Sequence, residues 1–284
     1  MVDRTLAALA APFPNRKFDA TRRAYLDLGF ASSTDDLNRL VRQNIDFTFS
    51  YYLRLARLRQ AAYRKRLIAT MRFTGTDVLH DAARERRGVI LLSAHLGDFD
   101  AAGVWIAAEL GITPVVTTPP VPSRGRQYFF DDVRRSCGVV VRRQEATRLT
   151  HLRRDLEAGR LVLMMLDRKA VGPMRPLRFF NRTIDAPAAA WRLAAITGAA
   201  IVPGACWRSD SGTTVLWCGN GRVFKGDEAQ SWQDAQAMAD QLTDVIRCSP
   251  YQLHIPATLE QLSWTVPADH RASRPRERGL RRAA

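Results

Sequence analysis

The sequence predicts an α/β fold: a single domain with a mainly parallel, mixed sheet flanked by helices, preceded by an N-terminal helical extension. Three observations carry this. From residue 88 onward, short continuous apolar runs alternate with helical patterns, and strands that are apolar throughout belong to sheets covered on both faces. Gly111, Gly138, Gly159 and Gly198 each close a helical pattern, where a C-terminal cap favours a left-handed residue. The 284 residues, 46% of them hydrophobic, suffice for one sizeable core.

In chain order, residues 1–72 read as the helical extension, interrupted by Pro12 and Pro14. Within it, residues 51–68 hold Arg54, Arg57, Arg59, Arg64, Lys65 and Arg66 and no acid, while Tyr51, Leu55, Leu58 and Ala62 recur at helical spacing. One basic amphipathic helix is predicted. It has two readings: lying on an anionic membrane through Arg54, Arg57 and Arg64, or packing its apolar stripe on the domain with its charges solvated. Residues 73–255 form the domain proper. Strands are expected at 89–93, 112–118, 139–141, 161–166 and 200–205, with helices at 98–110, 125–136, 146–158 and 187–197 between them. Residues 213–218 and 223–224, joined by Gly219-Asn220-Gly221, read as an edge hairpin, and a helix over 228–247 closes the domain. Residues 256–284, with arginines at 271, 274, 276, 278, 281 and 282, are expected to form a basic disordered tail.

The net charge of +15 implies an anionic partner: nucleic acid, a membrane surface or an acidic ligand. Cys137, Cys206, Cys218 and Cys248 include no Cys-x-x-Cys pair, so buried thiols are expected and no metal site. The first residues are too short and wrongly charged for a secretory signal. No run reaches the ~20 apolar residues needed to span a bilayer; residues 186–206 come nearest and are broken by Arg192 and Pro203. A cytoplasmic protein with only peripheral membrane contact is the expectation.

The chemistry centres on Ser93-Ala94-His95-Leu96-Gly97-Asp98-Phe99-Asp100. His95 follows an apolar strand, at the end where open α/β sheets place ligands. Asp100 returns one turn into the next helix. If it accepts a hydrogen bond from one ring nitrogen, the other is left as a proton acceptor near neutral pH. No Gly-x-Ser-x-Gly elbow is present, so such a base would act on a substrate hydroxyl or amine directly. The plainer alternative is a strand-end histidine beside a helix capped by Asp98 or Asp100.

Residues 71–105 resemble the lysophospholipid acyltransferase superfamily, whose signature is a His followed by four residues and an acid. They resemble more closely the lipid A late acyltransferases and the phosphatidylinositol mannoside acyltransferases, in Gly75 to Leu79, the strand at Val89 and His95-Leu-Gly-Asp-Phe-Asp100. The resemblance continues in Arg134, Arg135 and Gly138, in residues 159–167 ending at Asp167, in Arg178-Phe-Phe-Asn-Arg182, in Gly198 to Pro203 and in Pro250-Tyr-Gln-Leu253. It departs at Asp98 (usually Asn), at Asn181 (usually Gly, with Asn tolerating a left-handed turn) and beyond Leu253. No counterpart of the N-terminal membrane anchor of the lipid A enzymes is expected in this sequence.

The resemblance implies an O-acyltransferase. His95, held by Asp100, deprotonates a hydroxyl of a lipid or glycolipid acceptor, which attacks the thioester of an acyl carrier protein or coenzyme A donor. No cofactor beyond that co-substrate is implied. Arg178 and Arg182 are expected to meet phosphate or carbonyl groups, with Arg134 and Arg135 as further candidates and Asp167 orienting one of these arginines. Anionic membrane lipids, on the inner face of the plasma membrane, are the implied surface. Two rivals stay open: an acyltransferase acting on a soluble or carrier-bound secondary metabolite, and a basic nucleic-acid-binding protein. The latter lacks any recognised reading motif.

Overall fold

A computed structural model describes residues 16–118, 124–143, 148–168, 174–223 and 228–255; the basic tail expected at 256–284 lies outside them. The described residues open with three helices, α1 (Arg16–Asp27), α2 (Thr34–Arg57) and α3 (Ala61–Thr70), then β1 (Arg72–Thr74) and α4 (Asp77–Arg84). The alternating unit follows: β2 (Val89–Ser93), α5 (Phe99–Glu109), β3 (Pro114–Thr118), α6 (Arg124–Ser136), β4 (Val140–Arg143), α7 (Leu149–Glu157) and β5 (Leu161–Met165). A hairpin of β6 (Met174–Phe179) and β7 (Arg182–Pro187) leads to α8 (Ala189–Thr197), β8 (Ala200–Arg208), β9 (Thr214–Cys218), β10 (Arg222–Val223) and α9 (Glu228–Cys248).

The main sheet runs β1-β9-β8-β2-β5-β3-β4 and is mainly parallel; β9 and β10 pair antiparallel with β8. Central β2 is buried at every position, and its side chains alternate between faces. Ile90 and Leu92 join a core beneath α1, α8 and α9, while Val89 and Leu91 join one beneath α3, α5 and α6. Tyr25 of α1, Leu37 and Leu40 of α2 and Leu28 between the two belong to the first of these cores, so α1 and α2 are seated on the sheet.

Three expectations are corrected. The basic helix over 51–68 is two helices, because the Arg64 guanidinium turns back to donate to the Leu58 and Arg59 carbonyls (2.7 and 3.1 Å) and ends α2 there. Tyr51, Leu55 and Leu58 of its stripe are buried, but Ala62 is exposed. The expected hairpin of 213–218 with 223–224 does not form: β9 pairs with the second half of β8 and β10 with its start, and β1 covers the outer edge of β9. Cys137, Cys206 and Cys218 are buried, whereas Cys248 is exposed.

Candidate active site

β2 and β5 are adjacent and parallel, with Ser93 level with Met165. Two residues further on, His95 and Asp167 are therefore level as well, just past the C-terminal ends of their strands. Asp167 is fully buried. Its Oδ1 accepts from the His95 backbone N–H at 3.1 Å and meets His95 Nδ1 at 2.9 Å, and its Oδ2 accepts from Arg168 at 2.8 Å. Burial alone would raise the Asp167 pKa, but the charges of His95 and Arg168 and the His95 hydrogen bonds outweigh it and hold the carboxyl well below the usual range. An ionised carboxylate only accepts, so His95 Nδ1 carries the proton and Nε2 is the basic nitrogen. The His95 side chain is 27% exposed, and no residue described bonds its Nε2.

Asp100, the expected partner, is elsewhere. In the first turn of α5, it accepts from Arg134 Nε at 2.8 Å and from the Tyr51 hydroxyl at 2.6 Å. Burial opposes its ionisation; the charge and hydrogen bond of Arg134 and the bond from Tyr51 overcome it, and its pKa is lowered. Tyr51 is pushed up, first by burial and then by the Asp100 charge. The pairing of His95 with Asp100 is thus replaced by His95 with Asp167, and Asp167, expected to orient one of the candidate arginines, holds the imidazole and Arg168. Asp100 joins α5 to α2 and α6.

The neighbouring Asp98 receives a two-pronged bond from Arg54 (2.8–3.1 Å) and caps no helix through its side chain. Just before Asp98, Gly97 has φ +60, and a Cβ there would lie 2.3 Å from the Cys206 carbonyl oxygen. Only glycine fits this turn. A cavity lined by Tyr51, Arg54, Leu58, Asp98, Asp100 and Ala101 sits behind the carboxylates; at about 10 Å³ it is water-sized and does not include His95.

The remaining candidates divide. Arg134 is committed to Asp100 and Arg135 is exposed. Arg182 donates to the Asp27 carbonyl at 2.8 Å and lies 3.6 Å from its carboxylate, tying β7 to α1. Arg178 is 66% exposed beside Asp240 of α9. Phe179 and Phe180 are buried in the core. The hairpin takes its left-handed residue at Phe180 (φ +58), not at Asn181. Neither arginine of this block bonds His95 or Asp167. Arg54, Arg57 and Arg64 are also engaged within the protein: Arg54 by Asp98, Arg57 over the Tyr63 ring at 4.5 Å, Arg64 at the end of α2.

Sequence reasoning did not anticipate Arg168, Tyr51 or Arg54 as neighbours of this site, nor the segment 250–255 that borders it. Asp167 ended a predicted strand, and the order of strands in the sheet was the missing fact.

These positions can be set beside known proteins. The family described as bacterial lipid A biosynthesis acyltransferase matches residues 2–255. Phosphatidylinositol mannoside acyltransferase of Mycobacterium tuberculosis is 29% identical over 197 residues, covering 66% of this chain and 60% of the relative. The protein of the same name from Mycolicibacterium smegmatis is 28% identical over 185 residues, covering 63% and 59%. The match thus spans about three-fifths of these relatives' length. With the whole described fold inside the matched span, the chain belongs to the bacterial lipid A biosynthesis acyltransferase family.

Proposed function

We propose that this protein is an O-acyltransferase that moves an acyl chain from a thioester to a hydroxyl of a lipid or glycolipid, with His95 as general base. The observation that carries the reading is the bond from His95 Nδ1 to the buried, ionised Asp167, which leaves Nε2 of this partly exposed ring as the proton acceptor. In the reaction, Nε2 takes the acceptor hydroxyl's proton as its oxygen attacks the thioester carbonyl. The tetrahedral intermediate then expels the thiolate, which takes the proton from the imidazolium and leaves as the thiol. Asp167 stabilises the imidazolium while it lasts, as the carboxylate does in serine hydrolases. The donor is acyl carrier protein or coenzyme A thioester, and family membership and the relatives' names support a glycolipid acceptor.

The test is thiol release from a long-chain acyl-coenzyme A and from an acyl-carrier-protein thioester, each with dispersed phosphatidylinositol mannoside as acceptor. Acceptor-dependent release by the wild type with either donor, lost in His95→Ala, is the expected result; an active His95→Ala enzyme overturns the mechanism.

Membrane contact is proposed as peripheral, through a different surface from the one expected. No described helix is long and apolar enough to cross a membrane. On the outer side of α2, opposite its buried stripe, Phe49, Tyr52 and Leu53 are exposed at 44%, 41% and 60%, in line with exposed Arg42 and beside exposed Arg126 of α6. Aromatic and leucine side chains among arginines suit an anionic bilayer. Leu53→Ser with Phe49→Ser should abolish sedimentation with phosphatidylglycerol vesicles while Arg64→Gln leaves it intact; the reverse outcome returns the role to the arginines.

A further inference from the structure

We propose that His254, in the segment after α9, is a positioning residue that fixes the His95–Gly97 turn through its ring. This rests on the reading of His95 as the base. The segment opens with a 3₁₀ turn (Pro250–Gln252) and runs antiparallel to the turn, with Leu253 opposite Leu96. The His254 backbone N–H donates to the His95 carbonyl at 2.8 Å, and the Gly97 N–H donates to the Gln252 carbonyl at 3.0 Å. The His254 ring adds a third tie: Nε2 lies 2.8 Å from the Gly97 carbonyl oxygen. A carbonyl only accepts, so Nε2 carries the proton and donates. With Asp167 holding the His95 N–H, both backbone groups of His95 and of Gly97 are bonded, three of the four by this segment.

The ring itself is held. Its centroid is 4.4 Å from Tyr51, 5.3 Å from Phe47 and 5.4 Å from Phe99, and Phe99 in turn stands edge-on to His95 at 5.3 Å. Asn44 of α2, 2% exposed, anchors the segment from below by donating to the carbonyls of Tyr251 (2.8 Å) and Leu253 (2.9 Å). A loop glycine has no side chain by which it can be steadied. The His254 ring supplies that restraint from outside, holding the carbonyl two residues from the base.

A base displaced by about an ångström loses on the order of 10²-fold in rate, so the contribution of the His254 ring falls on kcat. His254→Phe keeps the ring among Tyr51, Phe47 and Phe99 but has no donor for Gly97. It should lower kcat roughly 10- to 100-fold with KM for the acyl donor within about twofold of the wild type. His254→Gln carries an amide N–H at comparable reach and should restore most of kcat. Each is measured in the thiol-release assay at a temperature where circular dichroism shows the variant folded; should His254→Phe not fold, His254→Asn, too short to reach Gly97, takes its place. Wild-type kcat in the donor-less variant overturns the proposal, as does a loss equal in the Gln and Phe variants. If instead His95→Ala retains activity, the reading of the base fails and not merely its positioning.

Discussion

The His95 turn and the β6–β7 hairpin make an instructive pair. Both hold blocks that stand out in the sequence, and both bend through a left-handed residue, Gly97 at φ +60 and Phe180 at φ +58. At the first, the backbone is packed so closely that a glycine is required, and the one polar ring it projects is left partly open over a buried carboxylate. At the second, the aromatics fill the core and one arginine locks α1 to β7 while the other rests at the surface. A bulky residue at positive φ is strained; here the core holds it in place through the Phe30 and Phe179 rings at 5.1 and 4.6 Å. The difference is one of what the turn leaves unsatisfied: a free imidazole nitrogen in one case, nothing in the other.

Kinetics should divide the two regions most widely. His95→Ala and Asp167→Asn are expected to lower acyl transfer roughly 10²- to 10⁴-fold with the fold retained by circular dichroism, whereas Arg182→Ala should leave kcat and both KM values unaltered. A kinetic defect in Arg182→Ala would bring the hairpin back into the site. On stability the order reverses. Phe180→Ala should cost about 3–5 kcal/mol in denaturant unfolding and Arg182→Ala about 1–3 kcal/mol, the hydrogen bond being only partly buried.

Asp100→Ala sharpens the comparison from within the motif. It strips a buried Arg134 of its carboxylate, with side chains 14% and 9% exposed, and should destabilise by about 3–5 kcal/mol. Any activity loss should then follow the folded fraction; a fully folded, inactive Asp100→Ala would show instead that this carboxylate acts on the chemistry. Asp98→Asn weakens the charge pairing with Arg54 and should lower the melting temperature measurably.

The smallest effect expected is a pH dependence. Asp167 and Asp100 both have lowered pKa values in the folded protein, so the stability they contribute is fully present above the ordinary carboxylate range, near pH 4, and is lost as the pH falls through their folded values. Acid titration of the wild type should show progressive destabilisation below about pH 4, and Asp167→Asn should flatten part of it. An identical acid profile in that variant would mean the buried carboxylate is not ionised.

Much of the fold was legible because β-strands buried on both faces leave apolar runs and left-handed caps leave glycines. The five strand positions and the helices between them appear within a few residues of where the patterns put them. The pairing at the site was not legible, because it depends on β5 lying beside β2, a fact of sheet order that no local pattern encodes. The sequence spacing of His95 and Asp100 pointed to the nearer acid; the sheet register selects the distant one. The fate of the arginines was hidden for a related reason: periodicity shows which face of a helix a charge occupies, but not that Asp98 or a freed carbonyl waits opposite it.

The segment at 250–255 also sets an order of events. During synthesis, His95 and Asp167 are both made by residue 167, yet the bond to the Gly97 carbonyl comes from residue 254, and the anchor of that segment, Asn44, lies 207 and 209 positions before its two acceptors. Segments emerge from the ribosome in sequence, N-terminal first. A nascent chain therefore holds the proposed base and its carboxylate long before the segment that steadies their turn has been made.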